Sequence, residues 1–436
     1  MNILIKNIDT ILTGDRVRLV RNCSIGIENG YIAFVDEEGK YPLDFKADKV
    51  ISGKNKLAMP GLVNTHTHSS MTLLRNFSDD VPLHKWLFEK VFPAEDRMSD
   101  EDVYWGTMLG IVEMLKSGTT TFADMYLHMD QVARAVSETG IRANLSHSPA
   151  IVRSGDTPAL LDDTENCCRF FNTWNGILNG RIKVYIEVHS AYLFDSQALE
   201  NSSALAKELG TGIHIHILET LREREDTIQK YGMDAAEACL KFGIFDVPVI
   251  AAHCVHLTEN DIQIFKQKNV NVAHNPTSNL KLGSGIARIP EIAAHGINVS
   301  LGTDGAASNN NLDMFDEMHL AALLHKGTNM DPSLMDAGQV INMATANGAS
   351  AAGWKGEVGE IRKGMKADII LLDVDKPHFN PMNNAVSAIV YCAHGSDVDT
   401  VIIDGNLIME NRQFVSIDEE MIKSKASSAA RRILSI

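Results

Sequence analysis

The sequence of 436 residues is poor in the features of secreted, membrane-bound and disulfide-rich proteins. Its six cysteines are scattered, with no C-x-x-C pair, which is typical of reduced thiols in a reducing compartment. No apolar run approaches the roughly 20 residues that span a bilayer, and the first residues lack the continuous apolar stretch of a signal peptide. We therefore expect a cytoplasmic protein without membrane partners.

Positive charge is also scarce, because 40 Lys and Arg residues stand against 56 Asp and Glu residues, a net charge of −16. Such a surface repels phosphate backbones, so we expect no nucleic-acid partner. The hydrophobic share of 44% and the charged share of 22% are close to globular averages, which predicts a large buried core. The net charge places no limit on small-molecule substrates.

From Ala58 onward, short apolar strands alternate with longer amphipathic helices, the pattern of parallel β/α units. We identify eight strand candidates: LAMPGLVNTH, TTTFADM, IRANLSH, KVYIEVH, GIHIHIL, VIAAHC, VNVAHN and INVSLGTD. One helix between them has Ser99 and Asp102 at the spacing of a capping box and Gly118 as its stop. Eight such units predict an α/β fold of the closed (β/α)8 TIM-type barrel class.

Both ends of the chain contain further β-type runs. ILIKNIDTILT, SIGIENGYIAFV and DKVISG precede the barrel, and KADIILLDV, AIVYCAH and DTVIIDGNLIME follow it. Neither end alone has enough strands to bury a face, so we expect one small composite β-sandwich domain formed by both termini. The predicted boundaries are 1–56 for its first part, 57–362 for the barrel, and 363–436 for its second part and a C-terminal helix.

Polar residues at strand ends are catalytic candidates, because the active site of such barrels lies at the carboxyl ends of the strands. His66 and His68, two residues apart after the first strand, project to the same side. His216, His253 and Asp304 end the fifth, sixth and eighth strands. Together they predict a metal site, although H-x-H alone also fits ordinary loop residues and Asp304 alone fits a turn residue before glycine.

Imidazoles and a carboxylate suit one divalent ion, most readily Zn²⁺, with Fe²⁺ and Mn²⁺ as alternatives. Such an ion lowers the pKa of its water toward about 7. Glu219, three residues beyond His216, is positioned to carry a proton between that water and a substrate. Its alternative role is that of a solvated acid at a helix start. His214 is predicted to be a hydrogen-bonded interior residue.

Several segments resemble the amidohydrolase superfamily, specifically its 5′-methylthioadenosine/S-adenosylhomocysteine deaminase branch. These segments are PGLVNTHTHSSM, MLKSGTTTFADMY, HIHILET, AAHCVHL, HNPTSNLKLGSGIA, LGTDGAASNNNLDMFDEM and GEIRKGMKADIILLD. The resemblance implies a barrel with one metal ion, ligated by His66, His68, His216 and Asp304. It also implies that Glu219 contacts the purine ring and shuttles protons.

The same resemblance implies roles for residues around the substrate. His253 is expected to orient the attacking water, Glu95 to hold ribose hydroxyls, and His189 to bind the substrate. Binuclear relatives carry a modified lysine near the end of strand four, whereas Lys183 stands at the beginning of that strand here. A single-metal site is therefore expected.

The chain departs from this family in the loop after the third strand. The family has two arginines there for the far end of long substrates, whereas His147 stands where the first is expected and Arg153 is not aligned with the second. A bidentate guanidinium contact with a carboxylate has no obvious substitute. We therefore expect smaller 5′-modified adenosines to be preferred over S-adenosylhomocysteine.

The expected reaction is hydrolytic deamination of an adenine nucleoside to the hypoxanthine nucleoside and ammonia, with His253 and Asp304 relaying the proton of the water. The substrate class covers 5′-methylthioadenosine, S-adenosylhomocysteine, 5′-deoxyadenosine and adenosine. One alternative is hydrolysis of another heterocycle, such as guanine, a pterin or a chlorinated triazine, and a second is a non-catalytic barrel. Pairing into a homo-oligomer is compatible with barrels of this kind.

Overall fold

The described part of the computed structural model, residues 1–13, 17–153 and 159–435, contains an eight-stranded parallel sheet and a nine-stranded mixed sheet. The strands are β1 (Ile3–Thr13), β2 (Arg18–Glu28), β3 (Tyr31–Glu37), β4 (Lys49–Ser52), β5 (Lys56–Pro60), β6 (Leu62–Thr67), β7 (Thr119–Met125), β8 (Arg142–His147), β9 (Ala150–Arg153), β10 (Ala159–Asp162), β11 (Ile182–Ser190), β12 (Ile213–Ile217), β13 (Val249–His253), β14 (Asn271–His274), β15 (Val299–Leu301), β16 (Ile369–Asp373), β17 (Val398–Ile403), β18 (Asn406–Glu410) and β19 (Gln413–Phe414).

Helices cover most of the connections between these strands. They are Leu83–Lys85, Phe92–Glu95, Asp100–Lys116, Met129–Thr139, Thr164–Trp174, Ile177–Gly180, Ser196–Leu209, Leu221–Tyr231, Ala235–Lys241, Glu259–Lys268, Pro276–Lys281, Ile289–Ala294, Met314–Asn329, Ala337–Met343, Ala346–Ala351, Ala385–Tyr391 and Glu419–Leu434. Tighter or wider helical turns lie at Ser69–Leu74, Trp86–Val91, Ile244–Asp246, Pro377–Phe379 and Gly395–Asp397. Within the described ranges, no helix has both the length and the apolar character that crossing a membrane requires.

The parallel sheet forms the barrel, in the order β6, β7, β8, β11, β12, β13, β14, β15. Its two edges meet where the backbone N–H of Asp304 donates to the carbonyl oxygen of His66 at 2.9 Å. Gly302 permits this approach, because a Cβ atom there would lie 2.9 Å from the backbone nitrogen of His66. Each of the eight predicted segments contributes a strand to the barrel, which confirms the (β/α)8 class.

The helix Asp100–Lys116 begins and ends as the sequence predicts. The Ser99 side chain accepts a hydrogen bond from the backbone of Asp102, and the Asp102 carboxylate accepts one from the Ser99 backbone at 2.7 Å. The chain leaves the helix through Gly118, whose φ of +87° favours glycine. This helix fills the connection between β6 and β7.

The segment LAMPGLVNTH, predicted as one strand, is divided between the two sheets. β5 pairs with β1 and β16, whereas β6 begins the barrel. Gly61 lies between them, and a Cβ atom there would be only 2.1 Å from Thr120 Oγ1. The close approach of the two sheets therefore requires glycine at the junction.

The mixed sheet combines both ends of the chain, in the order β19, β18, β17, β16, β5, β1, β2, β3, with β4 beside β1. β5 joins the two halves, because it is parallel to β1 and antiparallel to β16. Ile3, Ile5, Ile369 and Leu371 are fully buried in one apolar cluster with other residues of this sheet. The predicted composite β domain is confirmed, and its boundaries at residues 56 and 362 stay predictions.

The prediction of a β-type run at AIVYCAH is wrong, because Ala385–Tyr391 is a helix. The Asn384 side chain caps it by accepting a hydrogen bond from the backbone N–H of Ser387 at 3.2 Å. Ala385, Ala388 and Ile389 are buried at helical spacing. A short apolar run is compatible with a strand or a buried helix, and the N-terminal cap favours the helix here.

Candidate active site

The carboxyl ends of the barrel strands bring His66, His68, His216 and Asp304 together. Asp304 Oδ1 lies 3.4 Å from His66 Nε2 and 3.2 Å from His68 Nε2. His216 Nε2 lies 3.3 Å from His68 Nε2. The ligand atoms of His66, His68 and His216 lie within 4.8 Å of one another, and so do those of His66, His253 and Asp304. The side chains predicted as ligands therefore converge on one point.

Each histidine of this cluster has its other ring nitrogen, Nδ1, held by a partner outside the cluster. The pairs are His66 with His214 Nε2 at 2.9 Å, His68 with the Met125 carbonyl at 2.6 Å, and His216 with the His189 carbonyl at 2.7 Å. For His68 and His216 the carbonyl acceptor requires the proton on Nδ1, so in the neutral ring Nε2 presents its lone pair to the centre. His214 also contacts Ser146 Oγ at 3.3 Å, as expected of an interior histidine.

The cluster favours a positive charge at its centre, because the Asp304 carboxylate raises the pKa of His68 to about 9 although burial opposes this. Burial lowers the pKa of His66 to about 3, so its imidazole is neutral. Burial opposes ionisation of Asp304, but the neighbouring rings of His66 and His68 hold its pKa well below the usual range. His66 Nε2 is buried without a hydrogen-bond partner among the described residues. The neutral Nε2 of His66 and the carboxylate oxygen of Asp304 are both electron donors and face each other. A divalent cation between them would be bound by both.

Further contacts hold Asp304 in place. Its Oδ2 accepts hydrogen bonds from Ser278 Oγ at 2.6 Å and Ser308 Oγ at 2.8 Å, and its Oδ1 accepts one from Gly305 N at 2.8 Å. Its φ of +64° lies in the left-handed region, which is uncommon for a residue with a side chain and recurs at functional sites.

Glu219 and His253 flank the cluster on one side. His253 Nε2 lies 3.8 Å from Glu219 Oε2, and its Nδ1 lies 2.8 Å from Asn279 Oδ1. Glu219 Oε1 accepts a hydrogen bond from Ser284 Oγ at 3.1 Å. Burial raises the pKa of Glu219, so its carboxyl group holds a proton more readily than a solvated glutamate. Glu219 can therefore exchange a proton with a molecule in the cavity.

A cavity of about 420 Å³ opens above the cluster, a size that suits a small molecule. Its polar wall includes the predicted residues His68, Glu95, His189, His216, Glu219, His253 and Asp304, whereas its apolar wall includes Leu83, Trp86, Phe92 and Leu282. His66 lies beneath it and is fully buried. All predicted site residues thus lie in or directly under one cavity.

Glu95 and His189 also line this cavity. Burial raises the pKa of Glu95 to about 7 and lowers that of His189 to about 4. At neutral pH His189 is therefore neutral and Glu95 is partly protonated, so both side chains can hydrogen-bond a neutral ligand. Lys183 lies at the opposite end of β11 from His189, where its Nζ donates to the Gly353 carbonyl.

Charged residues line the outer end of the cavity. Arg169 Nη2 lies 2.6 Å from Asp130 Oδ2, and Arg169 Nη1 also donates to that carboxylate, at 3.3 Å from Oδ1. His147 Nε2 lies 3.8 Å from Asp163 Oδ2. The side chain of Arg153 lies outside the described residues.

Several residues of the site were missed from the sequence. Glu187 lines the cavity, and Ser278, Ser308 and Asn279 support Asp304 and His253. Glu187 could have been found, because it lies two residues before His189 and so shares its face of the strand. The polar run after strand seven, NPTSN, was the corresponding signal for Ser278 and Asn279.

A closed parallel barrel with a histidine–carboxylate cluster at its carboxyl ends defines the class of metal-dependent barrel hydrolases. The chain belongs to the amidohydrolase family, whose model matches residues 57–408.

Individual proteins resemble the whole chain. It is 60% identical to a protein of Acetivibrio thermocellus named 5-methylthioadenosine/S-adenosylhomocysteine deaminase, with 100% of both chains covered. A protein of the same name from Thermoanaerobacter pseudethanolicus is 46% identical, also with 100% of both covered. The crystal structure of a zinc-bound adenosine deaminase from Xanthomonas campestris is 30% identical and superposes with a TM-score of 0.93, covering 100% of this chain and 99% of that one.

Proposed function

We propose that this protein is a single-metal hydrolase that deaminates an adenine nucleoside to the hypoxanthine nucleoside and ammonia. The observation that carries the proposal is 60% identity, over the whole chain, to a relative named as a deaminase of 5-methylthioadenosine and S-adenosylhomocysteine. The substrate is 5′-methylthioadenosine, S-adenosylhomocysteine, 5′-deoxyadenosine or adenosine. The scattered cysteines favour a cytoplasmic location.

His66, His68, His216 and Asp304 would hold the metal ion. Nitrogen and oxygen donors of this kind favour zinc and also accept iron or manganese, and the zinc in the Xanthomonas campestris adenosine deaminase supports zinc. When bound, the ion makes hydroxide available from water at neutral pH.

The protein's own residues would move the protons. Glu219, whose pKa is raised by burial, donates a proton to a ring nitrogen of adenine and so makes the neighbouring carbon more electrophilic. His253, held by Asn279 at 2.8 Å, orients the attacking water. His253 and Asp304 then relay one proton of that water to the departing amine, which leaves as ammonia, and the other proton of the water returns to Glu219.

The cavity wall would position the nucleoside. Glu95 hydrogen-bonds a ribose hydroxyl, and His189 hydrogen-bonds a second polar group of the substrate. The apolar side chains of Leu83, Trp86 and Phe92 exclude water. At the outer end of the cavity, Asp130 forms an ion pair with the guanidinium group of Arg169. A carboxylate tail then competes with Asp130, so short neutral 5′ substituents are the better substrates.

The test is ammonia release by zinc-loaded protein offered 5′-methylthioadenosine, 5′-deoxyadenosine, adenosine, S-adenosylhomocysteine and guanine. We expect activity on the short nucleosides and little on guanine. Activity on guanine alone, or silence on every nucleoside by protein that contains metal, would reject the proposal and favour another heterocycle.

A further inference from the structure

Two carboxyl groups on the cavity wall each have an oxygen atom that is buried and has no hydrogen-bond partner among the described residues. They are Oε1 of Glu95 and Oε2 of Glu187. Glu95 is only 7% exposed. Buried polar atoms are almost always paired, because an unpaired one is destabilising. Two such atoms in one cavity therefore point to a ligand that supplies the missing hydrogen-bond partners.

The position of Glu187 follows from the alternation of side chains along β11. Tyr185 points into the barrel interior, where it packs with Ala123, Ile250 and Ala273. Glu187 and His189, two and four residues after Tyr185, lie on the same face of β11 and closer to the cavity. Glu187 is thus placed at the floor of the cavity, one layer below His189.

The chemistry of Glu187 suits a neutral polar partner. Burial raises its pKa to about 8, so the carboxyl group is protonated at neutral pH and can both donate and accept a hydrogen bond. Glu95, with a pKa of about 7 for the same reason, has similar capacity. The ribose of a nucleoside has two neighbouring hydroxyl groups, each of which also donates and accepts.

We propose that Glu187 is a second ribose-binding residue, which hydrogen-bonds one of the two neighbouring hydroxyl groups while Glu95 hydrogen-bonds the other. This inference rests on the proposed function, because it requires a nucleoside in the cavity. It assigns recognition of the sugar to a residue outside the metal cluster and the proton-transfer pair.

The test compares the wild type and Glu187→Ala on 5′-methylthioadenosine and on its 2′-deoxy and 3′-deoxy analogues, with kcat/KM measured for each. In the wild type, removal of the hydroxyl group that Glu187 binds lowers kcat/KM about tenfold. In Glu187→Ala that same removal has little further effect, whereas removal of the other hydroxyl group stays as costly as in the wild type. Glu187→Gln, whose amide also donates and accepts, keeps the wild-type sensitivity. Glu225→Ala, on an exposed position of the helix Leu221–Tyr231, serves as the control and keeps it as well.

If each deoxy analogue lowers kcat/KM by the same factor in Glu187→Ala as in the wild type, this inference is overturned and the deaminase proposal stays intact. Failure of the wild type to act on any nucleoside would overturn both. If Glu187→Ala does not fold, Glu187→Asp decides, because the shorter side chain withdraws the carboxyl group. Its sensitivity to the one hydroxyl group must then fall.

Discussion

Burial acts on the individual residues of this site in opposite directions, according to the charge of each group. It lowers the pKa of His66 to about 3 and raises that of Glu219, because a low-dielectric environment disfavours both the imidazolium and the carboxylate. A neutral imidazole is suited to bind a metal ion, and a carboxyl group that keeps its proton is suited to donate it, as we propose for these two residues. Burial alone therefore favours both the metal-binding role proposed for His66 and the proton-donating role proposed for Glu219.

The proton role of Glu219 predicts a specific defect in Glu219→Gln. The amide keeps the shape and can still accept the hydrogen bond from Ser284, but it has no transferable proton. We expect kcat to fall by about 10² to 10⁴, with metal content and melting temperature close to those of the wild type. Glu225→Gln, on an exposed position, should keep full activity. Near-normal turnover by a metal-loaded Glu219→Gln enzyme would remove Glu219 from the mechanism.

At the scale of elements, the sequence predicts what depends on periodicity and local capping. The eight barrel strands and the Ser99 cap were found this way, and so were the strand ends that carry His66, His216 and Asp304. The convergence of these side chains on one point is visible only in the structure.

Features that depend on tertiary contacts were not predictable in the same way. AIVYCAH was assigned to the wrong element, because a buried helix and a buried strand share its apolar pattern. The division of LAMPGLVNTH at Gly61 depends on contact with Thr120 of another strand. For Glu187 the local signal is its spacing of two residues from His189 on β11, and this spacing becomes informative once His189 is known to face the cavity.

The helix Met314–Asn329 is tied to the rest of the barrel through Glu317. Its Oε1 accepts a hydrogen bond from Asn309 Nδ2 at 2.7 Å, and its Oε2 accepts one from Thr277 N at 3.3 Å. Burial raises its pKa to about 8. The folded state thus binds this proton more tightly than the unfolded chain, in which glutamate titrates near about 4.3.

This difference predicts that Glu317 makes the free energy of unfolding depend on pH. The stabilisation is complete below about pH 4.3 and is lost as the pH rises toward the folded pKa of about 8. The loss is at most about 1.4 kcal/mol per pH unit. Urea unfolding between these limits should show a shallower decline with pH for Glu317→Gln than for the wild type. Glu225→Gln, on an exposed position of the helix Leu221–Tyr231, should keep the wild-type slope. Identical slopes in wild type and Glu317→Gln would contradict the assignment.

At the scale of the whole molecule, a buried ion pair connects the barrel to the mixed sheet. Arg142, in β8, donates to both carboxylate oxygens of Asp368, at 2.8 Å from Nε and 3.0 Å from Nη2. Asp368 precedes β16 and also accepts from the backbone of Asp404 at 2.7 Å. Arg142 is completely buried, so the carboxylate of Asp368 is needed to stabilise its positive charge.

Breaking this pair from one side should be costly. Arg142→Leu leaves the Asp368 carboxylate buried without its counter-charge, and we expect a loss of about 3 to 5 kcal/mol in the free energy of unfolding. Arg222→Ala, which removes an exposed pair with Asp226, should cost less than about 1 kcal/mol. Urea denaturation followed by fluorescence measures both. A loss for Arg142→Leu no larger than that for Arg222→Ala would show that the pair does not hold the two sheets together.

We propose that one metal ion per chain, held by His66, His68, His216 and Asp304, enables deamination of an adenine nucleoside. The most direct test is to strip the metal with a chelator, add zinc back in steps, and measure bound zinc and ammonia release from 5′-methylthioadenosine on the same samples. We predict that ammonia release is absent from the stripped protein, rises in proportion to bound zinc, and reaches its maximum at one ion per chain. Full activity in the stripped protein, a requirement for two ions per chain, or no ammonia at any zinc level would contradict the account.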